Sequence, residues 1–515
     1  MSRLPVLLLL LWLAGCARLP VNPALPERAF TDTAATPLAR AWAAHPESRR
    51  GLNAFQLLDN GLDAFVARAA LADVARRGID LQYYMIHDDH VGTLLLGRLL
   101  AAADRGVRVR ILLDDIDEGH RDFNIAVFAR HPNIEVRLFN PFGRNTARLW
   151  QFVTGFGRQT RRAHNKSFTV DGVATIVGGR NIGDEYFERD PRLAFQDLDL
   201  LAVGPLAREV EASFDEYWNH PLSYPIEVLA GSEPTAADFA RLRQELARKL
   251  AAMEDSDYLR RLRASALAER LRSGRLDFVW GRGRVLADHP DKLRQPTDQS
   301  QGWLFPGLLP WLQSARRELI LVSPYFVPGR RGVAALRRLT EQGVRVRVLT
   351  NSLASTDVTI VHAGYRRYRE ALLRAGVELW ELNDRTPGAA RKTLASGYTG
   401  KSRYSLHAKA MVVDRRVAFI GSLNLDPRSV VQNTEIGVLV NAPDVARALA
   451  EGIDRRLWEA AFRLRLETDE QGRARLVWVH RRGGKVVRET SEPHVALWRR
   501  ILVRLLGWLP IESQI

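Results

Sequence analysis

Apolar positions along this chain pass through the same succession of rhythms twice. Residues 75–86, "ARRGIDLQYYMI", turn from charged to apolar and end in aromatics, and residues 315–326, "ARRELILVSPYF", do the same. Residues 104–115, "DRGVRVRILLDD", alternate Val with Arg after a glycine and then run apolar; "EQGVRVRVLTNS" at 341–352 repeats the pattern. Such runs predict strands that enter a core after a helix. Between the members of each pair lies helical spacing, "VGTLLLGRLLAAAD" in the first case and "RGVAALRRLTE" in the second. Strand, helix, strand is the signature of a parallel sheet, so the chain holds two copies of one α/β unit.

Other segments read differently. "HNKSFTVDGVATIVGG" (164–179) sets Asp171-Gly172 between two β-branched runs and predicts a hairpin. Residues 235–273 are helical and highly charged, which suggests a solvated connector or lid outside both sheets. Residues 462–484 predict a hairpin closing at Asp469–Gly472, and the segments 120–162 and 385–405 read as loops over a site. In the stretch "HVALWRRILVRLLGWLP", helical winding gathers Trp498, Ile501, Leu502, Leu505, Trp508 and Leu509 on one face, with Arg499, Arg500 and Arg504 on the other. A basic helix with tryptophan on its apolar side suits either a membrane interface or the protein's own core.

At 515 residues the chain exceeds one ordinary core. The resulting division is 1–15 signal, 16–50 linker, 51–230 first domain, 231–275 connector, 276–460 second domain and 461–515 C-terminal hairpin and helix. The net charge of +16 suits an anionic partner such as phospholipid headgroups or nucleic acid. The N-terminus chooses between them. Arg3, a short apolar run and "LAGC" make a secretory signal too short to span a bilayer, and its end resembles a bacterial lipobox. Cys16 is the one cysteine of the chain, so no disulfide framework or thiolate metal site is available. The reading is of an exported protein held by lipid on Cys16 at the periplasmic face of a membrane, with the inner membrane favoured and no nucleic-acid partner expected.

The chemistry lies in a repeated motif. "AHNKSFTVDG" (163–172) contains His164, Lys166 and Asp171; "LHAKAMVVDR" (406–415) contains His407, Lys409 and Asp414, 243 residues later. On extended backbone, residues two apart face the same side, so imidazole and ammonium project together. That pairing fits a phosphate, with lysine as a point charge and histidine as nucleophile or acid. The pattern H-x-K-x4-D followed by G-[GS]-x-N resembles the signature of the phospholipase D superfamily, present twice, with Gly178, Gly179 and Asn181 in one copy and Gly421, Ser422 and Asn424 in the other. Gly179 stands where serine is usual, which puts a hydroxyl contact in doubt.

The resemblance extends to bacterial cardiolipin synthases, of the branch that carries a lipobox, through "SPYFVPG" (323–329), "HAGYRRYREALL" (362–373) and "LPIESQI" (509–515). It implies two tandem phospholipase D-like α/β/α sandwich domains with one active site at their interface. It also implies a phosphohistidine intermediate, with Lys166, Lys409, Asn181 and Asn424 on the phosphoryl oxygens. Alignment of "QDLDLLAVGP" (196–205) with "TEIGVLVNAP" (434–443) makes Asp197 and Glu435 equivalent, and the expectation assigns Asp197 to His164 and Glu435 to His407. Asp171 and Asp414 belong to the catalytic motif, although their place at hairpin turns suits a supporting role. No metal or other cofactor is expected: "HDDH" at 87–90 reads as a strand end and helix cap. The implied reaction passes a phosphatidyl group to phosphatidylglycerol, with phosphatidylglycerol and other phospholipids as partners, the donor (phosphatidylglycerol or phosphatidylethanolamine) and an accessory protein left open. The alternatives are hydrolysis by a phospholipase D, a DNA phosphodiesterase, or a lipid-binding scaffold without catalysis.

Overall fold

The computed structural model describes residues 19–117, 121–144, 151, 159–189, 194–297, 299–385 and 404–508. The expected signal with Cys16, the terminal "LPIESQI" and nearly all of the expected loop 385–405 lie outside these residues; the segment 120–162, expected as a loop, instead holds a helix at Asp122–Ala129 and a sheet strand at Ile134–Phe139.

The first half contributes β1 (Asn53–Leu58), β2 (Gly78–Tyr83), β3 (Arg108–Asp114), β4 (Ile134–Phe139), β5 (Ser167–Val170), β6 (Ala174–Gly178), β7 (Ala194–Gln196), β8 (Asp199–Val203) and β9 (Ser223–Pro225). Its sheet runs β9-β4-β3-β2-β5-β6-β8-β1, with β2, β3 and β4 parallel and the remaining pairs antiparallel. The second half contributes β10 (Val279–Ala287), β11 (Glu318–Val322), β12 (Arg345–Asn351), β13 (Glu378–Leu382), β14 (Tyr404–Leu406), β15 (Ala410–Val413), β16 (Val417–Gly421) and β17 (Ile436–Asn441). It repeats the order as β13-β12-β11-β15-β16-β17-β10. The expected C-terminal hairpin forms as β18 (Ala461–Thr468) and β19 (Ala474–Arg482), and β18 extends the second sheet beyond β13. Antiparallel pairing of β1 with β10 makes the two sheets continuous.

Helices α1 (Gly61–Val74) and α2 (His90–Asp104) cover one face of the first sheet, while α3 (Leu206–Trp218) lays Phe214 and Trp218 on Leu112 and Phe139 of the other. The charged connector lies outside both sheets as expected, with its charged side in solvent, and its apolar side forms the next layer. Its helices α4 (Ala236–Met253), α5 (Asp257–Arg263) and α6 (Ala266–Ser273) bring Leu246, Leu250, Tyr258, Leu262 and Leu267 onto the first core. Leu250 comes so close to α2 that a Cβ at Gly97 would lie 2.8 Å from its Cδ1. In the second half α7 (Gly329–Glu341) packs with Val346 and Val348, α8 (Thr359–Arg366) follows β12, and α9 (Pro443–Ala460) covers Val412 and Ile420. A shared core joins the halves, in which Val177, Leu198 and Leu200 meet Ile320, Val438 and Val440.

The Val/Arg alternation of β3 and β12 reads as one face in and one face out, yet both central arginines are buried. Arg110 bonds Asp80 at 2.7 Å and Asp215 of α3 at 2.8 Å, under the rings of Phe214 and Trp218. Arg347 repeats the device with Glu318 and with Asp454 of α9. A helix on each sheet face turns a solvent position into an interior one, where charge survives only when paired. Arg110→Met should lower stability by about 3–5 kcal/mol, because two carboxylates then lose their cation. Urea unfolding measures it, and an unchanged midpoint would show that the α3 face does not depend on this ion pair.

Candidate active site

His164 and Lys166 lie immediately before β5, and His407 and Lys409 immediately before β15. Each lysine folds back on its own motif: Lys166 Nζ donates to the His164 carbonyl at 2.7 Å and Lys409 Nζ to that of His407 at 2.5 Å. What sets the geometry is an exchange between the halves. Ala163 bridges Thr434 in parallel, with His164 N–H donating to the Thr434 carbonyl at 2.9 Å. Correspondingly, β14 runs parallel to β7, and His407 N–H donates to the Gln196 carbonyl at 2.7 Å. The residues following Thr434 and Gln196 are Glu435 and Asp197.

Each histidine therefore meets the carboxylate of the opposite half. His164 Nδ1 lies 2.9 and 3.1 Å from the two oxygens of Glu435, and His407 Nδ1 lies 2.5 Å from Asp197 Oδ2. The sequence-based assignment of Asp197 to His164 and Glu435 to His407 is thus reversed. Equivalence of the two carboxylates was right, but the paired lead-in segments carry each across to the other motif. With Nδ1 held in both cases, chemistry falls to Nε2.

The two halves hold these carboxylates differently. Ser422 Oγ donates to Glu435 at 2.5 Å. At the equivalent Gly179 an added Cβ would fall 2.2 Å from Asp197 Oδ1, so the missing hydroxyl makes room for the carboxylate itself. Asp197 then takes the Leu198 N–H at 2.8 Å.

Asp171 and Asp414 do not join the site. Both occupy left-handed turn positions, φ 53° and 51°, at the far end of the hairpin strand from the histidine. Asp171 accepts the backbone N–H groups of Arg76, Arg77 and Gly78, and Asp414 those of Arg316, Arg317 and Glu318. Their motif membership reflects a turn pinned to the start of β2 or β11, a conformation aspartate tolerates better than most residues. Asn181 reaches the site through Tyr186, donating to its hydroxyl at 3.0 Å, and Asn424 through Ser429 at 3.4 Å.

Two aromatic contacts escaped the sequence reading. Tyr84 meets His164 edge-on at 5.0 Å and lies 5.4 Å from Lys166 Nζ; Tyr186 meets His407 edge-on at 5.2 Å. Strand alternation was the available signal for Tyr84: buried Tyr83 accepts from Arg68 inside the first core, so its neighbour points the other way. Near α2, His87, Asp89 and Glu185 cluster within 4.8 Å. Asp89 is spent structurally there, accepting the N–H groups of Gly92 as helix cap and of Asp184.

Burial and mutual repulsion dominate the electrostatics. Burial, reinforced by Lys166 and Lys409, holds the His164 imidazolium well below its usual range. Burial also lowers His407, with Lys409 adding to the effect and Asp197 opposing it. Lys166 is pushed down to about 7 and Lys409 to about 8, mainly by burial. Glu435 is pushed up to about 7 by burial, which Lys166 only partly offsets. Asp197 differs: burial raises it, but His407, Lys409 and Arg180 together outweigh that and hold it below the usual carboxylate range. The result is an interior with four basic side chains whose charges an inserted phosphodiester anion would restore.

Because Asp197 favours the His407 imidazolium, Asp197→Asn should lower the pKa of His407 and leave His164 little changed. Histidine NMR titration, assigned with His164→Ala and His407→Ala, reads this. Movement of His164 instead would contradict the crossed pairing.

Comparison with known proteins accords with this geometry. The family model for the cardiolipin synthase phospholipase D-like domain matches residues 69–218 and 308–458. Cardiolipin synthase C of Escherichia coli is 42% identical over 88% of this chain and 94% of its own length. Cardiolipin synthase A of Pseudomonas entomophila is 28% identical over 82% of the chain and 71% of its own length. The crystal structure of phosphatidylserine synthase from Haemophilus influenzae superposes with a TM-score of 0.54 at 13% identity, covering 82% of this chain and 92% of that one, a likeness of fold. The family model matches twice, once in each half, each match containing one histidine–lysine motif, and the chain belongs to the cardiolipin synthase family of phospholipase D-like phosphatidyltransferases.

Proposed function

We propose that the chain makes cardiolipin, transferring a phosphatidyl group from a phospholipid donor to the terminal glycerol hydroxyl of phosphatidylglycerol through a phosphohistidine on His164. The observation that carries the division of labour is the unequal support of the two histidines. His164 rests on a glutamic acid whose proton affinity burial has raised, and the imidazolium form is strongly disfavoured, as a nitrogen nucleophile requires. His407 is lowered by burial too, but Asp197 at 2.5 Å opposes that lowering and gives its imidazolium a support that His164 lacks.

In the first step His164 Nε2 attacks phosphorus, the P–O bond to the departing alcohol breaks, and His407 supplies the proton to that oxygen. In the second, neutral His407 takes the proton of the acceptor hydroxyl, whose oxygen attacks phosphorus and breaks the P–N bond. Both histidines return to their starting states, and two modest displacements replace one hard one. Lys166 and Lys409 stabilise the negative charge on the phosphoryl oxygens. Fixed Nδ1 contacts and edge-on tyrosines keep the two rings aimed without reorganisation.

Among the described residues no helix is long and apolar enough to cross a membrane. Membrane attachment in this proposal comes from lipid on Cys16, with both halves on the periplasmic side and the +16 charge drawn to anionic headgroups.

Incubation with radiolabelled phosphatidylglycerol should yield cardiolipin in the wild type and none in His164→Ala or His407→Ala. Lys166→Met and Lys409→Met should each cost on the order of 10²-fold. Label should remain covalently on the protein in His407→Ala and be absent in His164→Ala. Phosphatidic acid as the main product would make the enzyme a hydrolase, and label retained only by His164→Ala would exchange the two roles.

A further inference from the structure

Helix α10 (Leu497–Leu506) is docked with its apolar face outward. Winding at 3.6 residues per turn aligns Leu497, Trp498, Ile501, Leu502, Leu505 and, just beyond the helix, Trp508. All six are exposed, Trp498 at 63%, Leu497 at 71% and Trp508 at 81%. The side turned to the protein carries buried Val503 and half-buried Leu506, packed with Leu353, Ala354 and Ala363. It also carries Arg499, whose Nη2 donates to the Thr356 carbonyl at 3.2 Å and Thr359 Oγ1 at 3.3 Å. A surface helix of a globular protein has the reverse arrangement. A contiguous patch with two tryptophans and four aliphatic side chains marks a surface that leaves water when it works.

Charge identifies what it enters. Arg504 lies at the edge of the apolar face beside Arg366, and Arg367 donates to the Gly507 carbonyl; residues 497–508 include no acidic side chain. Two copies of this face brought together would oppose arginine to arginine, whereas an anionic bilayer offers phosphates at the rim and acyl chains at the centre. The position is equally telling. Thr356, which holds Arg499, precedes Asp357, which accepts from the Tyr325 hydroxyl at 2.8 Å and acts electrostatically on Lys409. At the end of β12, just before that loop, Asn351 bonds both the N–H and the carbonyl of Leu406, next to His407.

We propose that the outward face of α10 is a membrane-docking surface that seats the mouth of the active site on an anionic bilayer. Trp498 and Trp508 enter the headgroup region, the arginines contact lipid phosphates, and Arg499 fixes the helix to the loop that buttresses the second motif. This deepens the reading of the substrate as a membrane phospholipid and rests on it, but docking is measurable without turnover.

The test uses the full chain reconstituted with vesicles of phosphatidylglycerol and phosphatidylethanolamine, some of the phosphatidylglycerol bearing brominated acyl chains. Brominated lipid should quench a fraction of the tryptophan emission, and Trp498→Phe/Trp508→Phe should remove most of that fraction. In parallel, Ile501→Glu/Leu505→Glu should lower turnover of vesicle substrate about tenfold or more. Turnover of short-chain phosphatidylglycerol below its micellar concentration should stay within about twofold. Quenching that is the same in the double Phe variant overturns the proposal. So does an equal loss on both substrates, which would make α10 merely structural, or a dimer that the Glu variant dissolves without change in quenching. Absence of turnover with intact, Trp498- and Trp508-dependent quenching would remove the proposed reaction while leaving the docking surface standing.

Discussion

Two short pieces of backbone pairing, Ala163 with Thr434 and β14 with β7, decide everything about the active site. Each brings a histidine from one half beside a carboxylate from the other, at 2.9 Å for His164 and Glu435 and 2.5 Å for His407 and Asp197. Neither half can orient its own imidazole. The shared apolar core beneath, where Leu198 and Leu200 meet Val438 and Val440, keeps these pairings in register. Separation of the halves would leave two imidazoles without a fixed tautomer and four buried basic groups newly hydrated, so packing and catalysis depend on the same contact.

That contact also explains why the near symmetry of the fold ends in unequal chemistry. The halves repeat strand order, the buried Arg110 and Arg347 ion pairs, and the turn aspartates 171 and 414. They part in what surrounds the two carboxylates. Ser422 fills the space beside Glu435 with a hydroxyl, while Gly179 leaves that space to Asp197. Burial raises Glu435 despite the Ser422 hydroxyl, whereas His407, Lys409 and Arg180 hold Asp197 down; both histidines are lowered, His164 well below its usual range. The proposed two-step transfer uses one nitrogen that enters bare and one that cycles a proton.

What the sequence made legible was local. Strand–helix–strand spacing, the Asp171-Gly172 turn and the histidine–lysine motif each reside in a few consecutive residues whose physics acts within them. The crossing was invisible because both pairings of Asp197 and Glu435 are compatible with the same internal alignment; only tertiary packing distinguishes them. The burial of Arg110 was not legible because alternation marks a face as polar without saying that α3 covers it. In residues 235–273 the packed side escaped notice for a related reason: Leu246, Leu250 and Leu262 are few among many solvated charges, yet fall on one side. In α10 amphipathicity was plain, but not which face the protein would keep for itself.

The central claim is that one phosphoryl site is assembled from both halves. A crystal structure with bound orthovanadate tests it most directly, since vanadate adopts the five-coordinate geometry of phosphorus in transfer. The account predicts vanadium within covalent distance of His164 Nε2, His407 on the opposite side of the metal centre, and oxygens contacted by both Lys166 and Lys409. Vanadate held by the histidine and lysine of a single half, with the other motif turned away, would contradict it.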